Sequence, residues 1–398
     1  MTPASVLCLF FVFLVPLAAA GLALINTGLG RSRSAAHAML ASLLAMAVGA
    51  MVYAAESLFV RGQPLDGSPA SLAVLLQMLG AGLAALIPLS SGADRWRLGA
   101  SCASAALLAG CTYPLFAHWV WGGGWLAQLG TKYGLGHGFL DAGGAGSIQA
   151  VGGLAALSVT WILGPRRGKY ATHGAPAAIP GHDAVIVVFA CFLTWLGWLG
   201  LNAAGAILFT GAEAGRAVLI AVNTTLSASS GLLATAAISR LRFGRPDASL
   251  CANGWIGGLV ASSAACALVT PAGAVAIGLA AGVLVTFTVA YIEWPLGIDD
   301  PGGAISVHAA SGLWGVLAVG IFARSADGVS GQWLAQLVGI ATLIGLVLPL
   351  TYALNWLLNR VYCQRVAPEG ERQGMDLYEL GAGAYPEFAT HNEEFTQL

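Results

Sequence analysis

Charge is what this sequence has least of. Of its 398 residues only 9% are Asp, Glu, Lys or Arg, while 57% are hydrophobic and the mean hydropathy is +0.78. Soluble domains carry about a quarter charged residues, so this composition excludes an ordinary water-soluble globule and implies a chain embedded in a bilayer. Chemical motifs are missing too. The seven cysteines contain no CxxC and lie mostly inside apolar runs, as small packing residues rather than disulfides or metal ligands. There is no P-loop, zinc motif or nucleophile elbow. Gly144-Ala-Gly146-Ser-Ile-Gln149 lacks the last glycine of a dinucleotide-binding GxGxxG. An enzyme, a bound cofactor, a metal site and a nucleic-acid partner therefore find no support.

What is present is a series of apolar runs near 20 residues, the length that crosses a hydrocarbon core about 30 Å thick. Eleven are expected, at about 4–29, 38–60, 70–90, 99–119, 141–163, 183–208, 216–239, 250–268, 272–293, 302–323 and 332–358. The first lacks a basic leader and a small-residue cleavage site, so it reads as a span, with a cleaved signal peptide as the weaker reading. With the N-terminus outside, thirteen of the seventeen Lys and Arg fall on the inside. Only Arg61, Lys132, Arg216 and Arg324 fall outside, a bias that assigns N-out and C-in. The expected fold is all-α and integral to a cell membrane, multi-pass and surrounded by lipid. A membrane domain covers 1–358 and a cytoplasmic tail 359–398, partly disordered unless it docks on the inside loops.

One stretch occurs twice. "DAGGAGSIQAVGGL" begins at Asp141 and "DPGGAISVHAASGL" at Asp300, an offset of 159 residues. An odd number of spans separates the copies, so the halves run in opposite directions: an inverted repeat of five plus five, over about 4–163 and 183–323, with helix 332–358 appended. Gln149 and His308 each fall eight residues into their helix, about 12 Å deep at 1.5 Å per residue. Entering from opposite faces, both reach the middle of the membrane. His308 is the sharpest candidate, because an ionisable group at that depth is costly and marks a pathway; the plainer alternative is a neutral histidine bonded between helices. Asp141 and Asp300 suit helix N-caps, and Asp141 also suits an anion near the outer mouth. Trp119, Trp121 and Trp125, in "AHWVWGGGW", are either an interfacial belt or, at Trp121, a cation-receiving ring.

Taken together these stretches resemble the ammonium transporter family that includes the Rhesus glycoproteins. "GLALINTGLGRSR" (21–33), "AHWVWGGGW" (117–125), "GWLGLN" (197–202), the two repeat copies and the tail "EGERQGMDLYELGAGAY" (369–385) match it in order along nearly the whole chain. The resemblance implies a homotrimer with one pore per subunit, ammonium or ammonia as substrate, and a possible PII-type regulator at the tail. It makes Trp121 the aromatic wall of an outer substrate site, Asp141 the buried acid beside it, and His308 the second of two pore histidines. Gln77 and Asn202 keep the family's residues.

Other positions depart from the family. Gln149 stands at the first pore histidine, Gly80 and Leu201 at two gate phenylalanines, and Gly205 at a serine that bonds the substrate. In the tail, Leu380 and Ala382 stand at a His and a Glu. Glutamine takes up no proton near pH 7, so a two-imidazole relay is broken. The expected function is an ammonium/ammonia transporter or channel with a modified or missing histidine relay. The alternatives are a non-transporting ammonium sensor or a pore for another small solute.

Overall fold

A computed structural model describes residues 2–63, 65–170, 175–323 and 330–385. Arg324, which the charge count placed outside, and the tail beyond 385 lie outside the described residues. The chain forms α1 (Pro3–Leu29), α2 (Ser32–Val60), α3 (Ala70–Gly92), α4 (Leu98–Trp121), α5 (Ala145–Leu163), α6 (Ala184–Thr210), α7 (Ala214–Phe243), α8 (Ala248–Ser262), α9 (Pro271–Glu293), α10 (Ile305–Phe322) and α11 (Gln332–Val361). Among the described residues there is no strand beyond a single bridge between Trp96 and Arg365. Local chemistry starts these helices as it should. Thr2, Asp183, Asp247 and Thr270 each accept a backbone N–H three residues on, and Pro3 and Pro271 occupy first-turn positions.

Among the described residues ten helices are long and apolar enough to cross a membrane; α8 is not. The span expected at 250–268 is helical only over Ala248–Ser262 and continues as turns through 263–268. At 1.5 Å per residue its 15 residues reach about 22 Å, short of the hydrocarbon thickness. This is tolerated because α8 packs against α6, α7, α9 and α10 and its irregular end is buried in protein, where polar backbone can find partners. Asn223 Nδ2 donates to the carbonyls of Cys266 and Val269. The Ser263 and Ala264 carbonyls accept from Gly143 and Ala142 N–H, so the broken end of α8 braces the approach to α5.

The two copies of the repeated stretch fold alike. Gly144 and Gly303 both take left-handed φ, 86° and 74°. Each is followed by a π-helical segment, Ala145–Ala150 and Ile305–Ala310. A Cβ on Gly153 would fall 2.2 Å from Ala309 N, and one on Gly312 would fall 2.6 Å from the Ala145 carbonyl. The same position of each copy thus touches the other copy's opening turns. The contacts run in opposite order along the two helices, so α5 and α10 cross antiparallel, at backbone contact.

The described part of the tail docks on the loops, the condition under which the sequence leaves it ordered. Arg97 N donates to the Gln364 carbonyl and Val366 N to that of Arg95. Arg365 donates to the Leu163 and Pro165 carbonyls and to Glu371, and Glu371 accepts from Arg167 N. Asp376 accepts the free N–H groups of Ala36 and His37 at the start of α2, and Glu379 accepts from Leu98 N at the start of α4. Acidic side chains from the tail cap helices whose own preceding residues make no side-chain cap.

Candidate functional site

Gln149 and His308, on the two π-helical segments, meet inside the protein. His308 Nδ1 lies 2.8 Å from Gln149 Oε1, and both side chains are buried. An amide oxygen only accepts, so the neutral ring holds its proton on Nδ1 and keeps a lone pair on Nε2. Gln149 Nε2 has no partner among the described residues, nor do the buried hydroxyls of Ser306 and Ser311. The centre therefore offers amide N–H donors and one imidazole acceptor to whatever small molecule lies against it.

The approach from the α4 end is built from α3, α4, α5 and α6. A narrow cleft is lined by Leu76, Trp121, Ala142, Gly143, Ile148, Leu201, Gly205 and Phe209. Trp121 is held by its indole N–H, which donates to the Asp141 carbonyl at 2.8 Å. Asp141 spends one carboxylate oxygen on Gly146 N, Ser147 N and the Ser147 hydroxyl, which closes the first turn of the π-helical segment; its other oxygen has no partner among the described residues. Asp300 holds the other copy the same way, accepting from Ala304 N and Ile305 N, and it also binds the Ser91 hydroxyl.

Of the other named residues, Leu201 and Gly205 line the cleft; Gln77 and Gly80 do not. Gln77 accepts from the Tyr53 hydroxyl. A Cβ on Gly80 would sit 2.6 Å from Tyr113 Oη and 3.0 Å from Ile148 Cδ1, so side chains of other helices fill the space beside position 80. A Cβ on Gly205 would lie 2.3 Å from the Ala142 carbonyl oxygen, which leaves that site no room for a serine. Asn202 lies behind the cleft, bonding Thr224 and Ser262 and so tying α6 to α7 and α8.

Two residues of this region were missed from sequence. Phe209 stacks on Trp121, ring centroids 4.2 Å apart and planes 11° from parallel, so the approach is richer in aromatics than the losses at positions 80 and 201 imply. A signal for it existed: Leu201, Gly205 and Phe209 follow at i, i+4 and i+8, one face of α6. Tyr113 had no such signal, because it reaches Gly80 across helices.

At the tail end of the bundle, charges are paired under cover. Arg166 binds Asp299 through Nε and Nη2 and lies 3.3 Å from Asp94, while Arg95 donates to the Asp299 carbonyl. Burial pushes the Asp299 carboxyl up, but the Arg166 hydrogen bond and the charges of Arg95 and Arg166 outweigh it and hold it below the usual carboxylate range.

Fold and site together define an all-helical, multi-pass membrane protein built around a buried polar pair. The model of the Ammonium Transporter Family matches residues 55–385. The chain is 36% identical to ammonium transporter Amt2 of Archaeoglobus fulgidus, over 96% of this chain and 88% of the relative. It is 38% identical to ammonium transporter Amt1 of Methanocaldococcus jannaschii, over 71% and 69%. Its fold matches a solved "Sensor Amt Protein" with a TM-score of 0.87 at 28% identity, covering 94% of this chain and 98% of that one. The chain belongs to the ammonium transporter family.

Proposed function

We propose that this family member moves ammonium nitrogen across the membrane as ammonia, past a centre at which His308 is the one imidazole and no proton is relayed. The observation that supports it is the 2.8 Å bond between His308 Nδ1 and Gln149 Oε1. With Nδ1–H engaged by an amide oxygen, His308 Nε2 is the one free base of the pair, and no proton passes on to residue 149. Ammonia presents a lone pair to the Gln149 amide N–H and its own N–H groups to His308 Nε2. Ammonium gives its proton to water on the entry side before it reaches the pair, and nitrogen crosses as ammonia without a matching current. Eleven membrane crossings as a five-plus-five inverted repeat, N-out and C-in, suit the antiparallel α5–α10 contact and the inside-rich arginine count. A homotrimer suits the exposed Phe10, Phe13, Phe189 and Phe192 on α1 and α6, which face lipid or another subunit.

A second reading, regulation without transport, draws on the likeness to the solved sensor protein and on the tail docked against the start of α2, the α3–α4 connection and the end of α5. A PII-type regulator or separate signalling partner would engage that docked tail. Uptake and current in proteoliposomes, with ammonium, methylammonium and potassium, separate the readings. The expected result is nitrogen uptake with little current in the wild type and an added ammonium-dependent current in Gln149→His. A folded wild type with no uptake above empty liposomes favours the regulatory reading, and potassium current favours a less selective pore.

A further inference from the structure

We propose that Phe209 is a movable plug over the Trp121 ring and sets how readily a small cation reaches it. The inference rests on the transport reading above for its ligand class, ammonium-type monovalent cations. A cation held by an aromatic ring sits over the face, within about 6 Å of the centroid. Here the Phe209 ring occupies one face of Trp121 at 4.2 Å, parallel to within 11°. The cleft that both rings line is too narrow to hold a water molecule. Entry to this face therefore requires one of the rings to move.

The surroundings decide which. Trp121 is tethered by its indole N–H to the Asp141 carbonyl, and Asp141 is itself locked to the first turn of the π-helical segment before α5. Leu201 and Ile148 are fully buried, and neither has room to swing. Phe209 is only half-buried, lies one residue from the end of α6, and is followed by Thr210 and a left-handed Gly211. Its phenyl ring has no polar tether. It also stands on the helical stripe of Leu201 and Gly205, so a rotamer change opens the cleft along that stripe without moving α6. The plug competes with the cation for this ring face: the stack must be given up before a cation is bound on it.

The test is uptake of methylammonium and ammonium by full-length protein in proteoliposomes, for wild type, Phe209→Ala, Phe209→Leu and Phe209→Tyr. An aromatic pair is worth enough to shift an equilibrium about 2- to 10-fold. Phe209→Ala and Phe209→Leu should lower the half-saturating concentration of methylammonium by about that factor, and Phe209→Tyr, which keeps the ring, should lower it less than either truncation. Adding Trp121→Leu to Phe209→Ala should abolish the gain. A half-saturating concentration that is unchanged or raised in both truncations overturns the plug, the raised value marking Phe209 as part of the binding surface. If the wild type passes no nitrogen, the transport reading fails separately. The same variants are then compared by calorimetric binding of methylammonium to detergent-purified protein, where tighter binding in Phe209→Ala supports the plug and equal or weaker binding overturns it.

Discussion

At the scale of single residues, the chemistry of the centre turns on which atoms of residue 149 face His308. Oε1 accepts the Nδ1 proton in a fully buried setting. Gln149→Leu keeps the bulk and removes the acceptor, which leaves a buried N–H without a partner. Thermal unfolding in detergent should register a loss of about 1–3 kcal/mol, against a near-neutral result if His308 turned to another acceptor. Gly205 carries a different lesson. Sequence comparison suggests that restoring serine there would restore a substrate-binding hydroxyl. The Ala142 carbonyl, 2.3 Å from where the Cβ would go, says otherwise. Gly205→Ser should destabilise by about 1–3 kcal/mol through overpacking and should raise neither uptake nor affinity. A variant as stable as wild type with improved methylammonium affinity would show that α6 and the 142–143 segment yield easily.

At the scale of elements, the repeat geometry makes paired predictions. Gly153 and Gly312 occupy equivalent places, and each approaches the opposite copy's backbone closer than any side chain permits. Gly312→Ala and Gly153→Ala should therefore lower the melting temperature in detergent to similar extents, by several degrees each. Gly215→Ala, at a position with open space and no unusual φ, should leave it unchanged. Much of this level was legible beforehand. Register alone, Asp141 with Asp300 and Gln149 with His308, identified two helices that meet; they do so in their opening turns and not eight residues in, because the helices begin at Ala145 and Ile305, after the glycines that follow each aspartate. The shortening of α8 was not legible, since its apolar composition suits a buried helix as well as a lipid-facing one. Tyr113 beside Gly80 was equally hidden: a vacancy in one helix filled from another is a tertiary fact. Phe209 lay on a visible helical stripe, but nothing in the residue itself marks it as facing Trp121.

At the scale of the whole molecule, the tail joins three separate features at one end of the bundle into one assembly. Arg365 and Glu371 join it to the end of α5, Asp376 to α2 and Glu379 to α4. Sequence left this open, because a polar, glycine-containing segment of this kind is disordered until it finds partners, and its partners lie more than 200 residues upstream. Glu379 makes the docking sensitive to acid. Burial pushes its carboxyl up, but hydrogen bonds from His37 and the Leu98 N–H, with the charges of His37 and Arg97, outweigh burial and hold it below its usual 4.5. A carboxyl depressed in the docked state binds protons more weakly there than when the tail is free. Its contribution is thus complete above the free-state value and is lost as pH falls through the lower, docked value. Amide hydrogen exchange over 364–385, corrected for intrinsic rates, should show protection constant from pH 7 to 5 and falling below about 4.5. Asp299, also held below the usual carboxylate range, is a second acid-sensitive group, in the loop before α10. Glu379→Gln separates the two: it should weaken tail protection already at pH 7 and flatten the acid response, while protection in α5 and α10 stays at wild-type level. A tail equally protected in wild type and Glu379→Gln at pH 7 would assign the docking to Arg365, Glu371 and Asp376 alone.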